Sequence, residues 1–339
     1  MNLPTLFIPH GAPTFALRPG AAGAAISRIA ADLPRPRAIV MVSPHWETAQ
    51  PAVGTAQRLD TIHDFYGFPP ELYEIHYPAT GCPEAAREVA AALQAAGLTA
   101  AEAPEQGLDH GAWIPLRLMY PDADVPVVPL SLQSHLGVAG AYRLGQALAP
   151  LTSKGMLVIG SGNITHNLGD YRVARMNGGQ GLDYVRHFPE WMTDRLRSHD
   201  VEALLDYRRQ APDAVRAHPT DEHLQPLYVA LGAAGKDARV EHLHTGISDY
   251  VLAMDAYAFT PLHRREEVMT AQYTRTAKSL HWLMALLIIG LVPLGLYMHE
   301  LPLSPQKLQL YSWHKWAGVT VFVLLLVRVS WRLTHQPPA

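Results

Sequence analysis

The stretch 156-MLVIG-160, running on as 160-GSGNITHN-167, decides the fold. Its first half is a short apolar run without polar alternation, the pattern of a strand buried on both faces. Its second half is a loop that delivers His166 just past the strand's carboxyl end. Three runs of the same kind lie upstream: 5-TLFI-8, 38-AIVMV-42 and 126-PVVPLSL-132. Between them, 84-EAAREVAAALQAAG-97 and 140-GAYRLGQALAPL-151 carry helical periodicity, the first closed by Gly97 as a helix stop. Strands alternating with helices predict an α/β domain whose mostly parallel central sheet is flanked by helices.

Two other predicted strands end in the same way. His10 follows TLFI by one proline, and His45 follows AIVMV in 43-SPHW-46. Ligands of open α/β sheets bind at that carboxyl edge, and imidazoles converging from distant positions are how a metal site is assembled. The chain holds 18 histidines, which raises the expectation of metal or proton chemistry. His110, in 108-LDHGAW-113, is expected at the start of a loop. His223, in 221-DEHLQPL-227, falls where a helix can begin with Asp221 as its N-cap. His63, in 61-TIHDFYGFP-69, lies in an aromatic loop suited to wall a pocket for a planar ring. His76, His135, His187, His199, His218, His242, His244 and His263 read as structural or solvated, with His218 close to His223 in 217-AHPTDEH-223. Imidazoles without thiolates suit zinc or non-haem iron. A hydrolytic zinc site and an oxygenase site both remain open on these residues.

A composition of 48% hydrophobic and 17% charged residues excludes a disordered chain. A single cysteine, Cys82, excludes a disulfide scaffold and a Cys-rich zinc module. A net charge of -3 gives no support for a nucleic-acid partner. The start, MNLPTLFIPHGAP, lacks the basic and apolar regions of a signal peptide. Charge is unevenly spread: residues 263–339 carry 8 Lys and Arg against 3 Glu, so residues 1–262 hold the acidic excess. Two domains are therefore expected, 1–262 and 263–339. In the second, 280-LHWLMALLIIGLVPLGLYM-298 is long and uncharged enough to span a membrane. A second span over about 316–334 is read from 316-WAGVTVFVLLLVRVSW-331, with Arg328 placed to snorkel. A transmembrane two-helix hairpin follows, against the alternative of a buried hairpin in a soluble protein. Arg264, Arg265, Arg275 and Lys278 ahead of the first span place the first domain in the cytoplasm.

The set 9-PHGAP-13, 43-SPHW-46, 63-HDFYGFP-69, 107-GLDHGAWIPL-116, 130-LSLQ-133, 160-GSGNITHNL-168 and 222-EHLQPL-227 resembles the class III extradiol ring-cleavage dioxygenases, closest to their 4,5-DOPA dioxygenase-like branch. The resemblance covers about residues 3–260. It implies ring opening of a catechol-type substrate by O2 at one non-haem metal per chain, Fe(II) for activity or Zn(II) as retained. By motif, His10, His45 and His223 match the metal ligands. Extradiol relatives more often pair two histidines with a carboxylate, and Glu222 stands beside His223. His166 matches a general base or fourth ligand, and His110 a histidine that orients substrate or oxygen. His63, Tyr66 and Phe68 are candidates to contact the ring.

The segments 273-YTRTAKSLHWLMALLIIGLVPLGLYM-298 and 311-YSWHKWAGVTVFVLLLVRVSWRL-333 resemble the first two spans of bacterial cytochrome b561. That family has four spans and binds haem b; here two are present before 336-QPPA-339, with His281 and His314 as axial-ligand candidates. Haem is thereby disfavoured, since it would need ligands from another chain. The expected setting is the bacterial inner membrane, with homo-oligomerisation left open. Two competing readings are a zinc-dependent hydrolase on the same histidines and a membrane electron-transfer subunit carrying haem b.

Overall fold

A computed structural model describes residues 3–178, 182–261 and 275–334. The chain divides into two compact units, Met1–Leu262 and His263–Ala339. His263, Arg264, Arg265 and the rest of 263-HRREE-267 lie outside the described residues.

The first unit is built on an eight-stranded sheet. Its strands are β1 (Thr5–Pro9), β2 (Ala38–Glu47), β3 (Ala52–Gly54), β4 (Ala101–Ala103), β5 (Val127–Leu132), β6 (Met156–Gly162), β7 (Arg239–His244) and β10 (Ala256–Thr260). The short strands β8 (Ile247–Ser248) and β9 (Leu252–Ala253) pair separately. The sheet order is β4-β3-β5-β2-β6-β1-β10-β7. Its centre, β5-β2-β6-β1, is parallel throughout, and β10 and β7 add antiparallel strands beyond β1. β1, β5 and β6 are buried along their whole length, as their unbroken apolar runs require.

Two groups of helices cover this sheet. One is α1 (Gly20–Asp32) with α3 (His110–Met119); the other is α2 (Pro83–Ala95), α4 (Gly137–Thr152) and α10 (Gln225–Ala234). Between β6 and α10 run α5 (Leu168–Asn177), α6 (Tyr184–Arg197) and three short turns of helix, α7 (Val201–Leu205), α8 (Tyr207–Gln210) and α9 (Ala214–Ala217). α10 is seated backbone-to-backbone on α4. A Cβ on Gly145 would lie 2.1 Å from the Val229 carbonyl oxygen, so only glycine allows this approach.

Three local expectations change. β2 continues to Glu47, so Ser43, Pro44 and His45 belong to the strand, which shifts register against β5 between Val42 and Glu47. His110 is the first residue of α3, not a loop residue, because the Asp109 carboxylate caps the helix by accepting the Ala112 N–H. Asp221 does not cap α10, which begins at Gln225 after Leu224. The Asp221 side chain instead accepts from Gln225 Nε2 and from the Tyr207 hydroxyl.

The second unit is a pair of packed helices, α11 (Arg275–Glu300) and α12 (Pro305–Thr334). Both outrun the predicted spans, at about 39 and 45 Å by the helical rise, against a hydrocarbon core of about 30 Å. They are long and apolar enough to cross a membrane. Their outer surfaces expose Leu286, Ile289, Leu296 and Phe322.

Candidate metal centre

Five imidazoles meet at the carboxyl ends of the central strands. His10 follows β1, His45 lies near the end of β2, and His166 follows β6. These three strands are neighbours in the sheet. His110 enters from the first turn of α3, and His223 from the turn ahead of α10. The His10 ring centroid lies 5.1 Å from that of His45, 5.5 Å from His110 and 5.3 Å from His223. His166 stacks on His223 at 3.5 Å with ring planes 7° apart. Potential ligand atoms within 4.8 Å of one another form two sets, His10 with His45 and His110, and His166 with Glu222 and His223.

The backbone ties these elements together. His10 N–H donates to the Gly162 carbonyl, and Asn163 N–H donates to the His223 carbonyl. The Asn163 side-chain oxygen accepts the Gly11 N–H, joining the turn after His10 to the His223 turn. A Cβ on Gly162 would sit 2.1 Å from the His223 oxygen, so the β6 terminus needs glycine here.

Hydrogen-bond accounting fixes where the ring protons sit. The Ser161 hydroxyl donates to the Gly111 carbonyl. Its one proton is thereby used, so toward His10 Nδ1, 2.9 Å away, it accepts. His10 is protonated on Nδ1, and its Nε2 presents a lone pair inward. His110 Nδ1 donates to Asp64 Oδ2 at 2.9 Å, and His223 Nδ1 to Glu222 Oε1 at 2.9 Å, with the same result. His45 Nδ1 stands 3.5 Å from Asp64 Oδ2, longer than a normal hydrogen bond. Its Nε2 is 3.3 Å from His10 Nε2. Tetrahedral zinc ligands about 2.0–2.1 Å from the ion lie about 3.3–3.4 Å apart. The donor set and this spacing therefore fit a divalent cation.

Burial keeps His10, His45, His166 and His223 neutral. It holds His10 well below the usual imidazole range, and the neighbouring imidazoles His45 and His223 push the same way. His45 is pushed down to about 2, first by burial and then by His110 and His223, with Asp64 opposing. His166 is also pushed down to about 2, by burial and then by His223. Burial lowers His223 as well, against the raising hydrogen bond to Glu222. Glu222 is itself raised by burial, but the His223 bond outweighs this and brings it to about 2. Asp109, buried at the α3 N-terminus, is lifted to about 6 by its burial, although the Ser43 hydroxyl donates to it at 2.6 Å. Neutral imidazoles offer the lone pairs that a metal needs.

The aromatic loop supplies a different ring from those expected. Phe65 is buried and meets His110 edge-on at 5.7 Å and 90°. Tyr66 is 89% exposed, so its side chain faces solvent rather than the histidines. Phe68 packs against Phe65, and His63 Nε2 donates to the Ile75 carbonyl while the ring lies against Phe65, Tyr73 and Trp113. Asp64, Phe65 and Ser161 escaped the sequence reading; the signal for the first two was their adjacency to His63 in the same loop. His218 is fully buried and bonded to the Ile164 carbonyl, outside the convergent set.

In the second unit His281 Nδ1 lies 3.2 Å from Arg328 Nη1, whereas the His314 ring lies against Gly295. From 281 to 295 the helix rises about 21 Å. His281 and His314 therefore do not fit as the two axial ligands of one haem.

Residues 12–260 match the family model described as the catalytic LigB subunit of aromatic ring-opening dioxygenase. Residues 272–339 match that of prokaryotic cytochrome b561. A 4,5-DOPA dioxygenase extradiol of Beta vulgaris is 40% identical over 265 residues, covering 76% of this chain and 96% of the relative. A protein of the same description from Escherichia coli K12 is 36% identical, covering 68% and 85%. The crystal structure of an uncharacterized Escherichia coli K12 protein superposes with a TM-score of 0.56 at 27% identity, covering 76% of this chain and 99% of that one.

Proposed function

The chain belongs to the LigB family of aromatic ring-opening dioxygenases, and from that premise we propose that His10, His45 and His223 hold one divalent metal at which a catechol-type substrate is opened by O2. The carrying observation is that the ring centroids of His10, His45 and His223 lie 5.0 to 5.3 Å apart, with Nδ1 engaged by Ser161 in His10 and by Glu222 in His223, which leaves Nε2 as the ligand atom of each. The cation supplies Lewis acidity toward the two catechol oxygens and, as Fe(II), the redox capacity that ring opening requires. Glu222 is occupied by His223 Nδ1, which favours His223 over the carboxylate as the third ligand.

His166 is the general base in this reading. Among the described residues neither of its ring nitrogens has a hydrogen-bond partner, and burial keeps it neutral, the form that accepts a proton. Its ring is nearly parallel to His223 at 3.5 Å. Imidazole lone pairs lie in the ring plane, so two parallel rings aim at different points. The stack thus favours a proton acceptor over a fourth ligand. His110, gripped by Asp64 at Nδ1 and at its backbone N–H, holds its Nε2 at a fixed place for a substrate or oxygen atom. Phe65 supports His110 from behind and shields it from water.

DOPA-like catechols are the first substrates to offer, because relatives carry that activity in their descriptions. We read α11 and α12 as a membrane anchor, on their length and apolar character, and the first unit as cytoplasmic, on the basic residues that precede the first span in the sequence. The deciding experiment is oxygen uptake by the full chain, reconstituted with Fe(II) under argon, against catechols including DOPA and protocatechuate. The expected outcome is uptake with a new yellow ring-opened chromophore. No uptake with any catechol, despite one metal bound per chain, would shift the reading to a zinc hydrolase.

A further inference from the structure

Asp64 occupies a position that no other carboxylate shares among the described residues. Its Oδ2 faces Nδ1 of His110 at 2.9 Å and Nδ1 of His45 at 3.5 Å, while its Oδ1 accepts the His110 backbone N–H at 2.8 Å. The two rings it faces are close neighbours, with centroids 4.1 Å apart and planes 44° apart. One belongs to β2 and the other to α3, and Asp64 belongs to neither element. A carboxylate oxygen has lone pairs for two donors, and no other side-chain acceptor stands at His45 Nδ1 among the described residues.

We propose that Asp64 is a positioning residue that orients two functional imidazoles at once, the metal ligand His45 and the pocket histidine His110. His110 Nδ1–H is bonded to this carboxylate and His45 Nδ1 lies on the same side, 3.5 Å from it; in this arrangement both rings keep Nδ1 toward Asp64 and Nε2 away from it. A displacement of either ring is felt by the other through their shared acceptor. Ser161 and Glu222 each restrain a single ring, so among the described residues Asp64 alone links metal holding to the group that meets substrate or oxygen. The inference rests on the proposed ligand role of His45.

The geometry of the bonds dictates the test. Asn at position 64 keeps the shape and one acceptor, but it cannot accept from the His110 backbone and from two imidazoles together. Zinc affinity of the full chain, purified in detergent, is measured by chelator competition for wild type, Asp64→Asn, His110→Phe and the double variant. Loss of a partner of this kind weakens metal binding about 10–100-fold. That loss is expected in Asp64→Asn, and again, by a similar factor, when the substitution is made in His110→Phe. Unchanged affinity in Asp64→Asn overturns the proposal, as does a loss that disappears in the His110→Phe background, because Asp64 would then act on His110 alone. Failure of the wild type to bind zinc removes the ligand reading itself, a result distinct from either. A spectrum of the zinc-loaded wild type labelled with 15N-histidine needs no substitution. It is expected to show His45 and His110 both protonated on Nδ1, and a His45 protonated on Nε2 overturns the proposal.

Discussion

At the scale of single residues, adjacent positions in one loop have opposite consequences. Phe65 is buried against His110, Phe68 and Tyr73, whereas Tyr66 is 89% exposed. Phe65→Ala is expected to destabilise the first unit by about 3 kcal/mol, and Tyr66→Ala by less than about 0.5 kcal/mol; paired thermal melts check both. His218 sets an acid limit. Burial holds its imidazole at about 4, although the Ile164 carbonyl pulls it upward. In the fold it is neutral, and the unfolded chain takes up the proton first. Its stabilising contribution is therefore complete above about pH 6.5 and shrinks as pH falls toward 4, by roughly 3 kcal/mol. In His218→Leu the melting temperature should depend less steeply on pH across that window; an unchanged slope would mean that other groups carry the acid sensitivity. The histidines of the centre were legible because each of three follows a buried apolar run. Their orienting partners were not, because Asp64 is 46 residues from His110 and Ser161 is 151 from His10. Only folding reveals such pairs.

At the scale of elements, helix α10 depends on α4 for the height at which it presents its leading turn. The two backbones touch at Gly145 and Val229. Gly145→Val must push them apart, at a cost of about 3 kcal/mol for the overpacked contact, and the His223 turn moves with α10. The expected outcome is a lower melting temperature together with weaker metal retention, read by metal analysis after dialysis. A variant that loses stability and keeps its metal would separate helix seating from ligand placement. The central strands could be read from β-branched, unalternated runs. The extension of β2 to Glu47 could not, since Ser43 and Pro44 look like a loop, and what holds them in the strand is the shifted pairing with β5. The start of α3 was obscured for a similar reason. Asp109 and Gly111 have the composition of a turn, but the Asp109 carboxylate spends itself on a helix cap.

At the scale of the whole molecule, the two units differ in what they expose. The first buries nearly all of its large apolar side chains; α11 and α12 expose theirs along both helices. The full chain is expected to sediment with membranes and to resist extraction by high salt, which weakens charge contacts only. Release by salt alone would make the hairpin peripheral. The position of β1 carries a last consequence, one of timing. This strand is made before its partners, which are β6, beginning at Met156, and β10, ending at Thr260. During synthesis an apolar segment that starts at Thr5 must wait, unpaired, for well over a hundred residues to emerge. Such long-range pairing is slow and leaves sticky surface exposed meanwhile. The nascent chain carrying β1 is thus expected to need chaperone protection until β6 emerges. On the proposed ligand set, the metal site is incomplete until the turn bearing His223 has left the exit tunnel.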